Sequence, residues 1–408
     1  MNVIESKEWA REKLKEIPEV TSKSKGFEFS RFHHLNWESF KCESSAEVEK
    51  GGSNSFPEQL KKHSSDEALL VLSPSKGILF QSENIPSEIR IFENGNSEET
   101  QPNQPYSQLP KIFDEDYFSV LGQSCLQKHW VIEVSKSVDS RPCLRVVFYF
   151  DGANHQSSTR LSVKVADESQ FNLVTQFVGA QTDGDSELIS IHQGDYDVGN
   201  MAELNHWNIQ EYSQKQYFLD RHYFHCHESS RVEQRNIHRG ALHGQQRSYA
   251  QVDKEAYFEA RSACELNSKQ HIDLWFHNRH SDKSSVSDTS AHCVMRGESS
   301  VVFNGMIEIT PKGEFTRAYQ SHKTLMLSDN ASVKSIPQLE IATDDVKCSH
   351  GASTSYLESD QLFYLQSRGF SKKEAEDCIA EAFTKNIYDN SPSVFVNKYL
   401  DKKQDAED

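Results

Sequence analysis

The sequence predicts a mainly β protein, with a long central body of short stacked strands and a helical segment at each end. Three observations carry that expectation. Apolar residues alternate with period two through about residues 111 to 350. Helical periodicity is scarce over the same span. Beyond it, apolar residues recur at helical spacing behind a helix-start signal at Ser371.

The chain divides by pattern into regions 1–110, 111–350 and 351–408. The first opens with a charged helix over Glu8 to Lys15, carrying Trp9 and Leu14, with Ser6 as its cap. It closes with NGNSEETQPNQPYSQLP, from Asn94 to Pro110, which has little to bury and reads as a linker or exposed loop.

In the second region Leu161, Val163 and Val165 point one way, and Ser162 and Lys164 the other. Val301, Phe303, Gly305, Ile307 and Ile309 repeat the pattern, as do Ala256, Phe258 and Ala260. Further strands are expected at Trp130 to Val134, Leu188 to His192 and Ile272 to His277, punctuated by Gly, Asp, Asn and Ser. Such a body is a sandwich, a barrel or a stacked parallel β-helix. The span is long for one sandwich, whereas each coil of a solenoid needs only its neighbours, so length favours the β-helix. The strands are unevenly spaced and no crisp repeat is visible.

The third region turns helical from about residue 357. Leu362, Phe363 and Leu365 form the apolar face of a short helix that Gly369 can end. Ser371-Lys372-Lys373-Glu374 is a capping box, followed by Ala375, Ile379, Ala382 and Phe383 on one face and Ile387 a turn further on. These helices either close the end of the solenoid or form a docking surface.

The candidate site lies between the last two regions, in Asp344-Asp345-Val346-Lys347-Cys348-Ser349-His350-Gly351-Ala352. Cys348 and His350 are two apart, so on a strand they share a face. A thiol beside an imidazole can hold a soft or borderline metal such as iron. Packing is the competing role, since cysteine is commonly buried. The densest histidine cluster is His222-Tyr223-Phe224-His225-Cys226-His227. On a strand His225 and His227 share one face, and His222 and Cys226 the other. All four cannot meet one ion without a bulge, so they read as surface or tunnel-lining residues. His277 and His280 are ambiguous in the same way, and His292 and Cys293 face opposite sides. No P-loop, dinucleotide fingerprint or nucleophile elbow is present.

Composition narrows the function further. Net charge is −17, from 44 basic and 61 acidic residues, which argues against nucleic-acid binding. An apolar fraction of 36% and a mean hydropathy of −0.70 imply a wet face or long polar insertions. No run approaches the roughly 18 apolar residues that cross a bilayer. The amino terminus lacks the apolar core of a secretion signal, and the eight cysteines include no CxxC pair. A cytoplasmic protein with free thiols is expected.

DDVKCSHGA, followed by SDQLFYLQSRG and SKKEAEDCIAEAF, resembles the SufB/SufD family of iron–sulfur cluster assembly proteins, in its SufD branch. GESSVVFNGMIEI, AYQSHKTLMLSDNA and PQLEIATDDV are similar to that family's β-helix coils. The likeness is specific from about Gly297 to Phe383. It implies a right-handed parallel β-helix core flanked by N-terminal and C-terminal helical segments. It implies a SUF scaffold subunit of the SufBCD type, pairing with SufB through the β-helix and docking the SufC ATPase on the C-terminal helices. The isolated chain could form a homodimer. A transient iron–sulfur cluster would be shared with SufB, with no nucleotide bound by this chain. Carried over by position, the SufD histidine at that cluster falls on His350, with Cys348 beside it.

Two alternatives remain at this stage. A self-sufficient SufB-type scaffold would carry its key cysteine where Ser321 stands, in Gln320-Ser321-His322, and would read HEA in place of HGA. Ser353-Thr354-Ser355 and Asp360-Gln361-Leu362 are nearer the SufB wording. The other alternative is a β-helix polysaccharide lyase or hydrolase, commonly a secreted type of enzyme.

Overall fold

A computed structural model describes residues 3–17, 57–65, 67–94, 116–136, 141–150, 156–179, 188–212, 215–385, 387–388 and 391–401. The linker expected over Asn94 to Pro110 lies outside these residues beyond Asn94. The alternation seen in the sequence builds a parallel β-solenoid. Successive strands fall alternately into two facing sheets, of ten and nine strands among the described residues. From Lys128–Val134 onward, each strand pairs in parallel with the one two places along the chain, in unbroken register. Val232 faces Phe258, which faces Ser287, which faces Ala318, which faces Cys348.

Alternate residues of each rung point inward and make the core. Leu161, Val163 and Val165 are buried there, as are Val301, Phe303, Ile307 and Ile309. Aromatic rings stack from coil to coil, with Phe148 and Phe177 5.0 Å apart and Tyr196 and Phe224 4.5 Å apart. The interior also holds a polar seam. Asp220 accepts from Asn208 at 3.0 Å and Gln210 at 2.6 Å, and lies 2.8 Å from His222 Nε2. Burial opposes ionisation of Asp220, but the charge and hydrogen bond of His222 win and hold its carboxyl well below the usual range. Part of the chain's hydrophilic character is therefore internal, where sequence reasoning put it on a wet face or in insertions.

The two ends of the solenoid differ. At the amino-terminal end the sheets finish on antiparallel pairings. Strand Gly77–Gln81 pairs with Ala68–Ser73, and Ile89–Glu93 pairs with Lys128–Val134. At the other end, Ser332–Ile341 and Lys347–Tyr356 are the last strands of their sheets, and their outer backbone edges carry no further strand among the described residues.

Helices flank the body. The helix α1 (Val3–Leu14) starts upstream of the expected Glu8, so Ser6 lies inside it. Ser6 does not cap it: buried, its hydroxyl accepts from Gln123 Nε2 at 2.8 Å, joining α1 to α2 (Tyr117–Ser124). Asp116 caps α2, accepting from Ser119 N at 3.0 Å, and takes ion pairs from Arg221 at 2.9 Å and Arg247 at 2.7 Å.

At the carboxyl end come α3 (Ser359–Ser367), α4 (Lys372–Lys385) and α5 (Val394–Asp401). Gly369, at φ +103°, ends α3 in the left-handed conformation that glycine adopts without strain. The capping box forms as expected. Glu374 accepts from Ser371 N at 2.6 Å, and Ser371 Oγ accepts from Glu374 N at 3.3 Å. Through Ile379, Ala380 and Phe383, α4 packs on Val294 and Leu325 of the ten-stranded sheet. Next to α5, Tyr388 is pinned by Ala263 N, which donates to its hydroxyl at 2.8 Å, and itself donates to the Asn236 carbonyl. Among the described residues no helix is long and apolar enough to cross a membrane.

Candidate functional site

The terminal rung Lys347–Tyr356 carries both candidate ligands. Cys348 lies in register with Ala318, and His350 with Gln320. Ala318 and Gln320 are buried, so Cys348 and His350 continue rows that face the interior in every earlier coil. His350 ends the row His206, Gln234, Ala260, Thr289, Gln320. Among the described residues no coil covers it, and His350 is exposed while Cys348 is half-buried. The two residues share a face, as their spacing predicts.

Cys348 packs against Ile307, Ile309 and Ala318. That burial pushes its thiol up, with a smaller opposing pull from the Ala318 backbone. The thiol is therefore protonated near neutral pH, and would give up its proton on ligating a metal. The packing role and the ligand role are compatible, because the sulfur lies at the boundary of the core. Beneath His350, Gln320 donates to the Gln338 carbonyl at 3.2 Å, tying the second-last strand of one sheet to the last strand of the other. Ser321, opposite Gly351, shares a hydrogen bond of 2.9 Å with Ser290.

Around this edge lie Leu339 (37% exposed), Ile341 (41%) and Tyr356 (60%). Apolar side chains next to unpaired strand edges suit association with another β-structure. The nearby α3 buries no side chain at all, and Phe363 and Tyr364 are 73% and 59% exposed.

The other histidines divide by face as strand geometry requires. His222 and Cys226 are buried inside, whereas His225 and His227 are half-buried on the outer side. His280 is buried between Ser285 and Ser287, while His277 pairs with Glu308 at 2.9 Å. His292 turns outward, 2.9 Å from the Phe383 carbonyl, and its neighbour Cys293 turns in.

The model of one family, the SufBD core domain of the SUF system for FeS cluster assembly, matches residues 148–383, more than half of the chain. The chain belongs to the SufBD family. This SufBD chain is 40% identical over 86 residues to the iron–sulfur cluster assembly protein SufD of Escherichia coli, covering 21% of it and 20% of the relative. With SufD of Bacillus subtilis it shares 36% over 121 residues, 30% of this chain and 28% of the other. With the SufBD family protein slr0076 of Synechocystis it shares 38% over 100 residues, 24% and 22% of the two chains. The matched stretches thus span well under two thirds of each relative.

Sequence reasoning missed one feature of this SufBD chain's interior. Cys264 and Cys293 lie in register on adjacent strands, both buried. The neighbouring Cys264 and His322 hold the Cys293 thiol below its usual range, against the effect of burial. No signal in the sequence links the three residues, since their proximity depends on coil length. Six cysteines are free thiols among the described residues, whereas Cys125 is disulfide-bonded, which corrects the expectation of free thiols at that position.

Proposed function

We propose that this chain is the SufD-like subunit of a SUF scaffold complex. In this reading it pairs with SufB through the open end of its solenoid. It presents His350 to a cluster built at the seam, and docks the SufC ATPase on its C-terminal helices. The observation that carries the reading is the position of His350, exposed on the terminal edge strand at the end of a row buried everywhere else. The iron–sulfur cluster is cargo here, held transiently and shared with SufB.

His350 contributes a neutral imidazole nitrogen to iron, and Cys348 contributes a thiolate once its proton is released. Partner strands extend the edges of Ser332–Ile341 and Lys347–Tyr356, and Leu339 and Ile341 are covered in the process. The exposed aromatics of α3 receive SufC, whose nucleotide-driven movement reaches the seam through the helices packed on the sheet. This chain has no Walker motif, binds no nucleotide in this reading and has no ATPase activity of its own. A cytoplasmic address goes with the same role. Ser321 beside the site argues against a self-sufficient SufB-type scaffold, since a hydroxyl is a poor iron ligand where a thiolate is needed.

The test is co-expression with SufB and SufC, followed by iron and sulfide analysis of the purified complex. His350→Ala should leave the complex assembled and lower cluster loading by about tenfold. Unchanged loading in an assembled His350→Ala complex would overturn the reading.

A further inference from the structure

Far from the open end, the outer face of the nine-stranded sheet gathers metal-ligating side chains from three coils. Asp197 lies near the end of strand Leu188–Val198, in register with His225 near the end of Gln216–Cys226. His227 follows on the same side, its ring centroid 3.8 Å from that of His225. Asp253 comes from just beyond the next strand, His243–Val252.

We infer that Asp197, His225 and His227 form a binding site for a first-row divalent cation such as Fe²⁺ or Zn²⁺. One ligating atom from each of the three lies within 4.8 Å of the others. Asp197 Oδ1 is 2.7 Å from His227 Nε2 and 3.9 Å from His225 Nδ1. Metal–nitrogen and metal–oxygen bonds of about 2.0–2.2 Å put neighbouring ligand atoms roughly 3.0–3.5 Å apart, and the two distances bracket that range.

The surroundings favour ligation over a simple ion-pair cluster. Asp253 Oδ2 is 3.0 Å from His225 Nε2, so it can accept the Nε2–H and leave the Nδ1 lone pair facing Asp197. Asp253 is itself held by Ser281, whose hydroxyl donates to its Oδ1 at 2.5 Å. Two imidazoles and one carboxylate select borderline transition metals over Ca²⁺ or Mg²⁺. The exposed Lys164, in register on the other side of Asp197, is the nearest opposing cation, and Asp167 and Asp253 counter it.

With side-chain exposures of 28% for His225, 34% for His227 and 46% for Asp197, an ion can enter from solvent and keep water ligands. The site is separate from the terminal rung. Its strand Gln216–Cys226 lies four strands in from the edge of its sheet, roughly 19 Å along the solenoid.

The test uses the full chain, stripped of metal with a chelator and titrated anaerobically with Zn²⁺ by calorimetry and with Co²⁺ by visible absorption. Wild type should bind one equivalent that survives in a Cys348→Ser/His350→Ala chain. The same equivalent should weaken at least about tenfold in Asp197→Asn and vanish in His225→Gln/His227→Gln. Zn²⁺ should raise the unfolding temperature of wild type and leave that of the double variant unchanged. Failure of wild type to bind this equivalent would overturn the site, as would its retention in His225→Gln/His227→Gln.

Discussion

Gln320 and His350 face each other in parallel register on the last two strands of one sheet, the first buried and the second exposed. The same row thus changes character within a single step. Their substitution should separate folding from function. His350→Ala is expected to change stability by no more than about 0.5 kcal/mol, as for an exposed position. Gln320→Ala, which loses the bond to the Gln338 carbonyl, should cost about 1 kcal/mol. Denaturant midpoints of the two variants would check this.

The exposed apolar residues at the open end should govern association. Leu339→Glu/Ile341→Glu is expected to weaken binding to the partner subunit by about tenfold or more, equivalent to about 1.4 kcal/mol. Any self-association of the isolated chain through the same edge should weaken with it. Sedimentation velocity of the wild-type and variant chains, alone and mixed with partner, reads both effects.

The capping box fixes the start of the helix that lies on the ten-stranded sheet. Ser371→Ala should destabilise the first turn of α4 by about 1 kcal/mol. Amide hydrogen exchange over residues 372–377 should rise roughly fivefold. Exchange in the solenoid strands should stay as it is.

Acid should loosen the body through its buried imidazoles. Burial alone pushes His280 down to about 3, and His192 is held at about 3. An unfolded chain takes up these protons near pH 6.5, before the folded one does. Stability from His280 is therefore complete above that pH and falls as the pH drops towards the folded value, by up to about 1.4 kcal/mol per unit. The unfolding temperature should decline from pH 7 to pH 5, and His280→Gln should flatten the slope.

Much of the architecture was legible because alternation and helix signals are local. Leu161, Val163 and Val165 announced a buried strand face, and Ser371 with Glu374 announced α4. The shared face of Cys348 and His350 also followed from spacing alone. What stayed hidden depends on distance along the chain. Ser6 reads as a cap until Gln123, on another helix, claims its hydroxyl. Strand Ala68–Ser73, within the mixed first region, pairs with Cys143–Phe150, which no local pattern reveals. The repeat was invisible because coils differ in length, with 26 residues from Gln234 to Ala260 and 31 from Thr289 to Gln320. For the same reason nothing in the sequence joined Asp197 to His225.

The parallel register has a last consequence, for evolution. Because each coil stacks on the previous one without changing its orientation, a whole coil could be gained or lost in the middle. The terminal chemistry would then move by only about 4.8 Å along the axis and keep its bearing. Length in this protein is a ruler that can be cut or extended without recarving either tip.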